Sequence, residues 1–300
     1  MQATAELIQR IEHIAGKRVL NRRKTTGGYS SATREIVTFD DGSKAFIKAG
    51  HDLPNSALAA FLRREHQVYQ ALRGDFMARM LAFDDDGVEP ILMLEDLSHG
   101  HWPPPWQRHD IEAVLSALKQ AAPQRVADAR PIREETHVLR GWQEVADDPT
   151  SFLSLGLATE GWLRAALPTL LSVDARAVVD GEALLHMGVR SDNLCLLPKR
   201  AVLLDWNWVS IGNPDFDIAG WLPSLHAEGG PPPETILPKA REFASILSGY
   251  FAAQAGKPPI PEVPQVRPLE GVFRVVQLQQ LKTALPWAVR ALGLSRQGLL

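Results

Sequence analysis

The sequence predicts an α+β protein in which a small part rich in β-strands precedes a larger part rich in α-helices. Between residues 18 and 95 strand-like runs surround a single helical pattern, whereas beyond residue 109 apolar residues recur mainly at helical spacing. The segment that separates these parts, SHGHWPPPWQRH, contains three consecutive prolines, which exclude regular structure. We therefore expect a first lobe over residues 1–97, a linker over 98–108 and a helical lobe over 109–300.

The first lobe is expected to hold two helices and a small sheet. MQATAELIQRIEHIAG places apolar residues on one helical face and ends at Gly16. REIVTFDDGSKAFIKAG contains two strand-like segments joined by Asp41-Gly42, which is typical of a β-hairpin. A second helix is predicted over 57–73, with Glu65 on its buried face, and further strands around 80–84 and 90–95 complete the sheet.

The second lobe is predicted to contain four helices and three short strands. The helical patterns cover 110–121, 160–175, 239–254 and 268–292. ALLH, LCLL and AVLLDW read as strands, the last two joined in a hairpin at 198–200, and AEGGPPPE reads as a surface loop.

Composition limits the classes of function. The chain has 300 residues, 45% of them hydrophobic, and a formal net charge of −3, which gives no general electrostatic reason to bind nucleic acid or an anionic membrane. No uncharged run is long enough to span a bilayer, and the N-terminal pattern differs from that of a signal peptide. The single cysteine, Cys195, lies in an apolar run and is expected to be a buried small hydrophobe. A cytoplasmic protein fits these observations.

Asn193 and Asp205 are candidate ligands of Mg²⁺. They lie twelve residues apart on either side of the second predicted hairpin, which brings them close together. Amide and carboxylate oxygens suit Mg²⁺, which usually leaves positions for phosphate. Turn capping by both side chains is the alternative.

Three further groups are candidates for ligand binding, each with a structural alternative. Lys48 at the end of a strand and Glu65 on the buried face of the next helix would form the pair with which kinases hold ATP phosphates, or a plain salt bridge. Gly27 and Gly28 precede the first hairpin and would either close over phosphates or form an ordinary turn. Trp102 and Trp106 would line a substrate cleft or pack within the linker.

The order and spacing of the following motifs resemble the protein-kinase-like phosphotransferases, and more closely the aminoglycoside phosphotransferases. HMGVRSDN keeps the His and the Asn of the kinase catalytic loop in register, at His186 and Asn193; LLDWNW resembles the metal-binding segment, and GNPDFDIAGWLPSL resembles the motif that follows it. The resemblance runs from about Gly27 to Leu225. It implies a bilobal protein-kinase-like fold and the use of ATP and Mg²⁺.

The resemblance also implies roles for individual residues. Lys48 would hold the ATP phosphates and Glu65 would orient it, while Asn193 and Asp205 would bind Mg²⁺. Asp217 would tie the following helix to the catalytic loop. The backbone of the hinge, formed by Glu95, Asp96 and Leu97, would meet adenine.

The catalytic aspartate of the family is replaced by Gly188, which cannot accept a proton. A positioned general base contributes roughly 10²- to 10⁴-fold to a rate, about 3 to 5 kcal/mol, so its loss predicts a slow enzyme before an inactive one. Asp192 is a candidate substitute for the base, and Arg190 aligns with a lysine that contacts the transferring phosphoryl group.

These observations lead to a principal hypothesis and two alternatives. The first is an ATP- and Mg²⁺-dependent phosphotransferase with reduced activity that acts on a hydroxyl of a small molecule. The second is a nucleotide-binding pseudokinase with a regulatory or scaffolding role, and the third is a kinase-like fold without a nucleotide site. The acceptor stays open: an aminoglycoside would require a dense acidic surface, for which Asp215, Glu228 and Glu234 are the candidates.

Overall fold

In the computed structural model of the chain, which describes residues 2–25, 32–50, 58–257 and 267–299, an N-terminal antiparallel sheet packs on a larger, mainly helical lobe. The two helices and five strands of the first part were all expected from the sequence. They are α1 (Gln2–Ala15), β1 (Val19–Lys24), β2 (Thr33–Phe39), β3 (Lys44–Ala49), α2 (Leu58–Ala71), β4 (Met80–Asp85) and β5 (Pro90–Glu95), although β1 was expected only as part of the strand-rich texture.

The sheet has the strand order β1-β2-β3-β5-β4, and its two faces are covered by different elements. Leu7 and Ile11 of α1 pack on one face with Val37, Ala45 and Ile47, forming a small apolar cluster of their own. The opposite face belongs to the main core, which continues through α2 into the helical lobe. Because strand side chains alternate, residues 46 and 48 of β3 point toward that lobe.

The turn between β2 and β3 differs from the expected two-residue turn. Its register pairs Thr38 with Lys44, and the N–H of Phe39 donates to the Ser43 carbonyl at 2.9 Å. The loop therefore consists of the three residues 40–42, and Gly42 within it has a φ of +80°. Three-residue hairpin loops use a left-handed residue at this point. The additional residue shifts the register by one and decides which side chains of β2 share a face with those of β3.

The second lobe contains nine helices and five short strands within the described residues. They are α3 (Arg108–Ala121), β6 (Arg130–Pro131), α4 (Thr136–Leu139), α5 (Gly141–Asp147), α6 (Thr150–Leu153), α7 (Glu160–Asp174), β7 (Ala183–Leu185), β8 (Leu194–Leu197), β9 (Arg200–Leu203), β10 (Ser210–Gly212), α8 (Asp215–Ala227), α9 (Pro233–Ile236), α10 (Arg241–Ala255) and α11 (Arg267–Leu292). The predicted hairpin is β8–β9, whereas β7 pairs with β10 in a separate sheet. The expected loop at 227–234 is shorter than predicted, because α8 extends to Ala227 and α9 begins at Pro233.

The helical lobe is organised around large buried aromatic side chains. Trp142, Trp206, Trp221 and Trp287 are almost completely inaccessible to solvent. Cys195 is buried as expected, and burial raises the pKa of its thiol to about 12. None of the described helices combines the length and the apolar character that crossing a membrane requires.

Candidate active site

A cavity of about 460 Å³ opens between the sheet and the helical lobe. Its walls come from β2, β3 and α2 on one side, and from the loop after β7, the turn after β9 and helices α4, α8, α10 and α11 on the other. Residues far apart in the sequence therefore meet there. The sequence-predicted residues Lys48, Gly188, Arg190, Asn193 and Asp205 all line this cavity.

Lys48 forms two ion pairs at the base of the cavity. Its Nζ donates to Glu65 Oε2 at 2.6 Å and to Asp205 Oδ1 at 2.6 Å. Burial alone would lower the pKa of Lys48, but the two carboxylates outweigh burial and raise this pKa. Burial likewise opposes ionisation of Asp205, yet Lys48 dominates and lowers the pKa of that carboxyl. The predicted Lys48–Glu65 pair is thus present, and Lys48 also joins the sheet to the candidate metal ligand.

Arg34 is a second cation beside Lys48, which the sequence analysis missed. It lies on β2 directly opposite Lys48, on the same face of the sheet, and lines the cavity. Burial lowers its pKa, while Asp205, Glu65 and Asp192 act in the opposite direction. A guanidinium stays charged under such conditions, so two permanent cations stand side by side where phosphate groups would bind.

The loop after β7 is held by a buried carboxylate at the start of α8. Asp217 accepts hydrogen bonds from the backbone N–H groups of His186 at 2.5 Å and Met187 at 2.8 Å. The predicted link between this helix and the loop is therefore confirmed. Burial raises the pKa of Asp217 to about 6, against the effect of the two N–H donors. Met187 has a φ of +63°, a conformation that is uncommon for a non-glycine residue, and the donation from its N–H helps to hold it there.

His186 has a structural environment. Its side chain is buried, and burial lowers its pKa to about 4. Nε2 lies 2.9 Å from the carbonyl oxygen of Leu204, and Nδ1 accepts from the N–H of Gly188 at 3.2 Å. These contacts assign a neutral ring with the proton on Nε2, which links the loop to the end of β9.

Asn193 and Asp205 form a pair of oxygen donors suited to Mg²⁺. The Nδ2 of Asn193 donates to the Gly188 carbonyl at 2.9 Å, which leaves its amide oxygen to face a ligand. The β8–β9 hairpin brings the two residues together, and the N–H of Leu204 donates to the Asn193 carbonyl at 2.8 Å. Asp205 is held in the left-handed region with a φ of +64°, and its Oδ2 is not taken by Lys48.

This donor set fits Mg²⁺ better than a metal that needs an all-protein shell. Among the described residues no group of three or more His, Cys, Asp or Glu side chains could hold a metal ion. Mg²⁺ is commonly held by one or two side chains together with waters and the phosphates of its substrate. The residues present therefore match a Mg²⁺-nucleotide complex.

Two acids in or beside the loop after β7, Asp192 and Glu228, are engaged by other groups. Both oxygens of Asp192 accept from Arg190, with distances of 2.9 Å and 3.0 Å. Ser191 Oγ donates to Glu228 at 2.6 Å, and the indole of Trp106 donates to the other oxygen of Glu228 at 2.8 Å. Trp106 therefore packs on the helical lobe, with its ring centroid 5.4 Å from that of Trp221 on α8, and it does not line the cavity. The Arg190–Asp192 pair must open before Asp192 can act as a base.

The hinge residues lie outside the cavity, whose described lining includes none of Glu95, Asp96 and Leu97. The Leu97 carbonyl accepts from the N–H of Gly100 at 3.0 Å, and the carboxylate of Asp96 accepts from Ser98. Glu95 bonds to Arg79 and Arg200. Their contact with adenine stays a prediction. Gly27 and Gly28 lie outside the described residues.

Comparison with known proteins supports the fold. No family model matches the sequence, and no curated protein does. A choline kinase from Cryptosporidium parvum shares the fold with a TM-score of 0.56 and 8% identity, covering 91% of this chain and 90% of that one. A protein assigned as a fructosamine-3-kinase from Thermobifida fusca has a TM-score of 0.53 and 18% identity, with 95% and 98% covered.

An amicoumacin kinase in complex with AMP-PNP and Ca²⁺ has a TM-score of 0.50 and 12% identity, with 98% of this chain and 96% of that chain covered. At such low identities the similarity concerns the fold. The chain therefore has the bilobal kinase-like fold that the resemblance implied.

Proposed function

We propose that this protein is an ATP- and Mg²⁺-dependent phosphotransferase that acts on a hydroxyl of a small molecule, with a rate reduced by the absence of a side chain at Gly188. The observation that carries the proposal is the double ion pair of Lys48 with Glu65 and Asp205. Three separate elements converge on one ammonium group, at the base of a cavity that also contains Asn193. A purely structural salt bridge needs only one carboxylate.

The proposed chemistry follows from the positions of the side chains. Lys48, oriented by Glu65, and its neighbour Arg34 would hold the phosphates of the nucleotide. Asn193 and Asp205 would hold Mg²⁺, which when bound neutralises charge on the phosphate oxygens. With Lys48 holding phosphate oxygens, the carboxylate of Asp205 would be available to hold Mg²⁺.

Catalysis by this site would depend on positioning and charge, since no carboxylate stands at position 188. Most of the stabilisation of a loose phosphoryl-transfer transition state comes from metal and cationic groups. Arg190 lines the cavity next to Gly188 and would contact the transferring group after exchanging its partner Asp192. Because no general base is present, the substrate hydroxyl that accepts the phosphoryl group would lose its proton late and slowly.

The state of the catalytic loop also favours a second candidate function, a nucleotide-binding pseudokinase. The described carboxylates that line the cavity are Glu135, Asp205 and Asp217, and the last two are bonded to Lys48 and to backbone N–H groups. Glu135 lies 3.5 Å from His137, in a separate segment. The two functions share the nucleotide site and differ in turnover.

The melting temperature in the presence and absence of Mg-ATP tests the shared nucleotide site. Ligand at about 100 times its dissociation constant adds roughly 2.7 kcal/mol of stability, a shift of a few degrees for a chain of this length. We expect a magnesium-dependent shift that Asp205→Asn abolishes. As a matched control, Asp215→Asn changes an exposed carboxylate outside the cavity and should keep the shift. The absence of a shift at millimolar Mg-ATP would contradict both candidates.

A further inference from the structure

The described lining of the cavity contains several aromatic side chains in addition to the charged residues around Lys48. Five aromatic side chains line the cavity: Phe61, Trp208, Phe216, Tyr250 and Phe251. Phe61 and Trp208 lie against each other with ring centroids 5.3 Å apart, and Trp208 is 53% exposed. Tyr250 and Phe251 lie on α10, across the cavity, with ring centroids 5.1 Å apart. Such surfaces suit the flat face of an organic ligand.

Among the described residues, the lining of the cavity carries little negative charge. Asp215, Glu228 and Glu234, the acids considered as a surface for polycations, do not line the cavity. Glu228 is bonded to Ser191 and Trp106, and Glu234 forms an ion pair with Arg290. Glu135 is therefore the one carboxylate in the described lining that stands apart from the Lys48 cluster and the Asp217 loop contact, and His137 lies beside it.

The polar groups that remain near this region are largely uncharged. Asn207 lines the cavity, and its amide oxygen is buried without a hydrogen-bond partner among the described residues. Because that oxygen has almost no accessible surface, the Asn207 side chain would have to turn toward the cavity before a ligand hydroxyl could donate to it and remove the cost of the missing partner. Gln280 and Tyr250 add an amide and a phenol to the same lining. Burial raises the pKa of Tyr250, so its hydroxyl stays protonated.

From these observations we infer that the acceptor is an uncharged compound that combines hydroxyl groups with a flat apolar or aromatic surface, such as an aromatic glycoside. The inference rests on the proposed function, because only a phosphotransferase has an acceptor. The binding preference of the pocket can be tested separately. In the described lining, Glu135 would be the one carboxylate available to a polycation, because Asp205 and Asp217 are already bonded to Lys48 and to backbone N–H groups. A small quaternary ammonium compound such as choline would find aromatic faces, but its single hydroxyl would have to serve both as the group to be phosphorylated and as the donor to Asn207.

Binding of three probes, measured by titration calorimetry with and without Mg-AMP-PNP, tests the inference. The probes are 4-nitrophenyl β-glucoside, choline and kanamycin. We expect the glucoside to bind most tightly, with an affinity that changes little as the salt concentration rises from about 0.05 M to about 0.5 M, because no ion pair is formed.

Variants distinguish a direct effect of the aromatic ring on binding from an effect on the fold. Tyr250→Ala should weaken glucoside binding about tenfold, whereas Tyr250→Phe keeps the ring and should bind with nearly unchanged affinity. Val178→Ala alters an apolar side chain that is 70% exposed and outside the cavity, and serves as the control. Asn207→Leu, which fills a similar volume without an acceptor, should also weaken binding of the glucoside.

The outcomes distinguish this inference from the proposed function. Tighter binding of choline or kanamycin, glucoside binding that is indifferent to Tyr250→Ala, or no binding of any probe alongside intact Mg-AMP-PNP binding would overturn the inference. Glucoside binding that depends on Tyr250 would support it even if Mg-AMP-PNP failed to bind, and in that case the phosphotransferase proposal would fall alone.

Discussion

Replacing Gly188 with aspartate should restore the missing proton acceptor without disturbing the loop. A Cβ at this position would lie 3.5 Å from Asn193 Nδ2 and 3.5 Å from both Cε1 and Nδ1 of His186, all ordinary van der Waals contacts. Gly188 has no positive φ, so a side chain adds no backbone strain. The added carboxylate would stand beside the Asn193 amide, at the edge of the cavity.

The expected gain follows from the contribution of a general base. We expect ATP turnover, with water or an added hydroxyl compound as acceptor, to rise roughly 10²- to 10⁴-fold, which corresponds to about 3 to 5 kcal/mol of barrier. Release of ADP in a coupled spectrophotometric assay measures this rate. Gly188→Asn is the matched control, because it has the size of aspartate and cannot accept the proton.

Comparison of the two variants decides the outcome. If both bind Mg-ATP equally well and Gly188→Asp turns it over no faster than Gly188→Asn, the reasoning is refuted and the pseudokinase becomes the better description. Loss of Mg-ATP binding by Gly188→Asp alone would show that the new carboxylate repels the phosphates instead of activating the acceptor.

Three further changes test the supports of the site. Glu65→Gln breaks a buried ion pair, so it should destabilise the protein by about 3 to 5 kcal/mol in chemical denaturation and should weaken Mg-ATP binding. A variant as stable as the original protein would contradict a buried ionic Lys48–Glu65 pair. Asp217→Asn replaces a charged acceptor of two backbone hydrogen bonds, each worth about 1.5 to 3 kcal/mol. We expect a lower melting temperature and slower turnover in a Gly188→Asp background. Unchanged turnover would show that the loop keeps its conformation without these two bonds. Burial raises the pKa of Asp174 to about 7, so the folded state binds a proton more tightly than the unfolded state. Ionisation of this group therefore lowers the stability of the protein as the pH rises from about 4 through 7. Asp174→Asn should raise the melting temperature at pH 8 but not at pH 4, and an effect that is the same at both pH values would exclude this cause.

The sequence was sufficient for the elements that depend on local patterns. Helical spacing located α2 and placed Glu65 on its buried face, where the exposed fraction is 2%. Alternation and turn residues located the two hairpins, and motif order then paired Lys48 with Glu65. These features are encoded within short stretches, so a single sequence reveals them.

The features that the sequence did not reveal depend on register or on distant contacts. A two-residue turn at Asp41-Gly42 would have paired Arg34 with Ala49, and only the actual three-residue loop sets Arg34 opposite Lys48. A shift of one residue reverses the face of every side chain in a strand. If the strand register had also been counted from a three-residue loop, Arg34 would have been placed opposite Lys48.

The acceptor side of the cavity was the least predictable part. The segment 132–153 forms three short helices with no sustained periodicity, and it delivers Glu135, His137 and Val138 to the cavity wall. Tyr250 reaches the same wall from α10, more than 100 residues later. Nothing local in either stretch indicates that they meet.

Position 188 retains a structural role that does not need a side chain. The Gly188 carbonyl accepts from Asn193 Nδ2, and its N–H donates to His186 Nδ1, so the backbone of this residue orients the asparagine and fixes the histidine tautomer. Neither contact uses a carboxylate. Under the proposed function, glycine at this position leaves the site without a proton acceptor, while the arrangement of the candidate metal ligands stays in place. Nucleotide binding and catalysis can therefore be separated in this protein, and nucleotide affinity alone does not distinguish a slow enzyme from a pseudokinase. The difference in turnover rate between Gly188→Asp and Gly188→Asn distinguishes them.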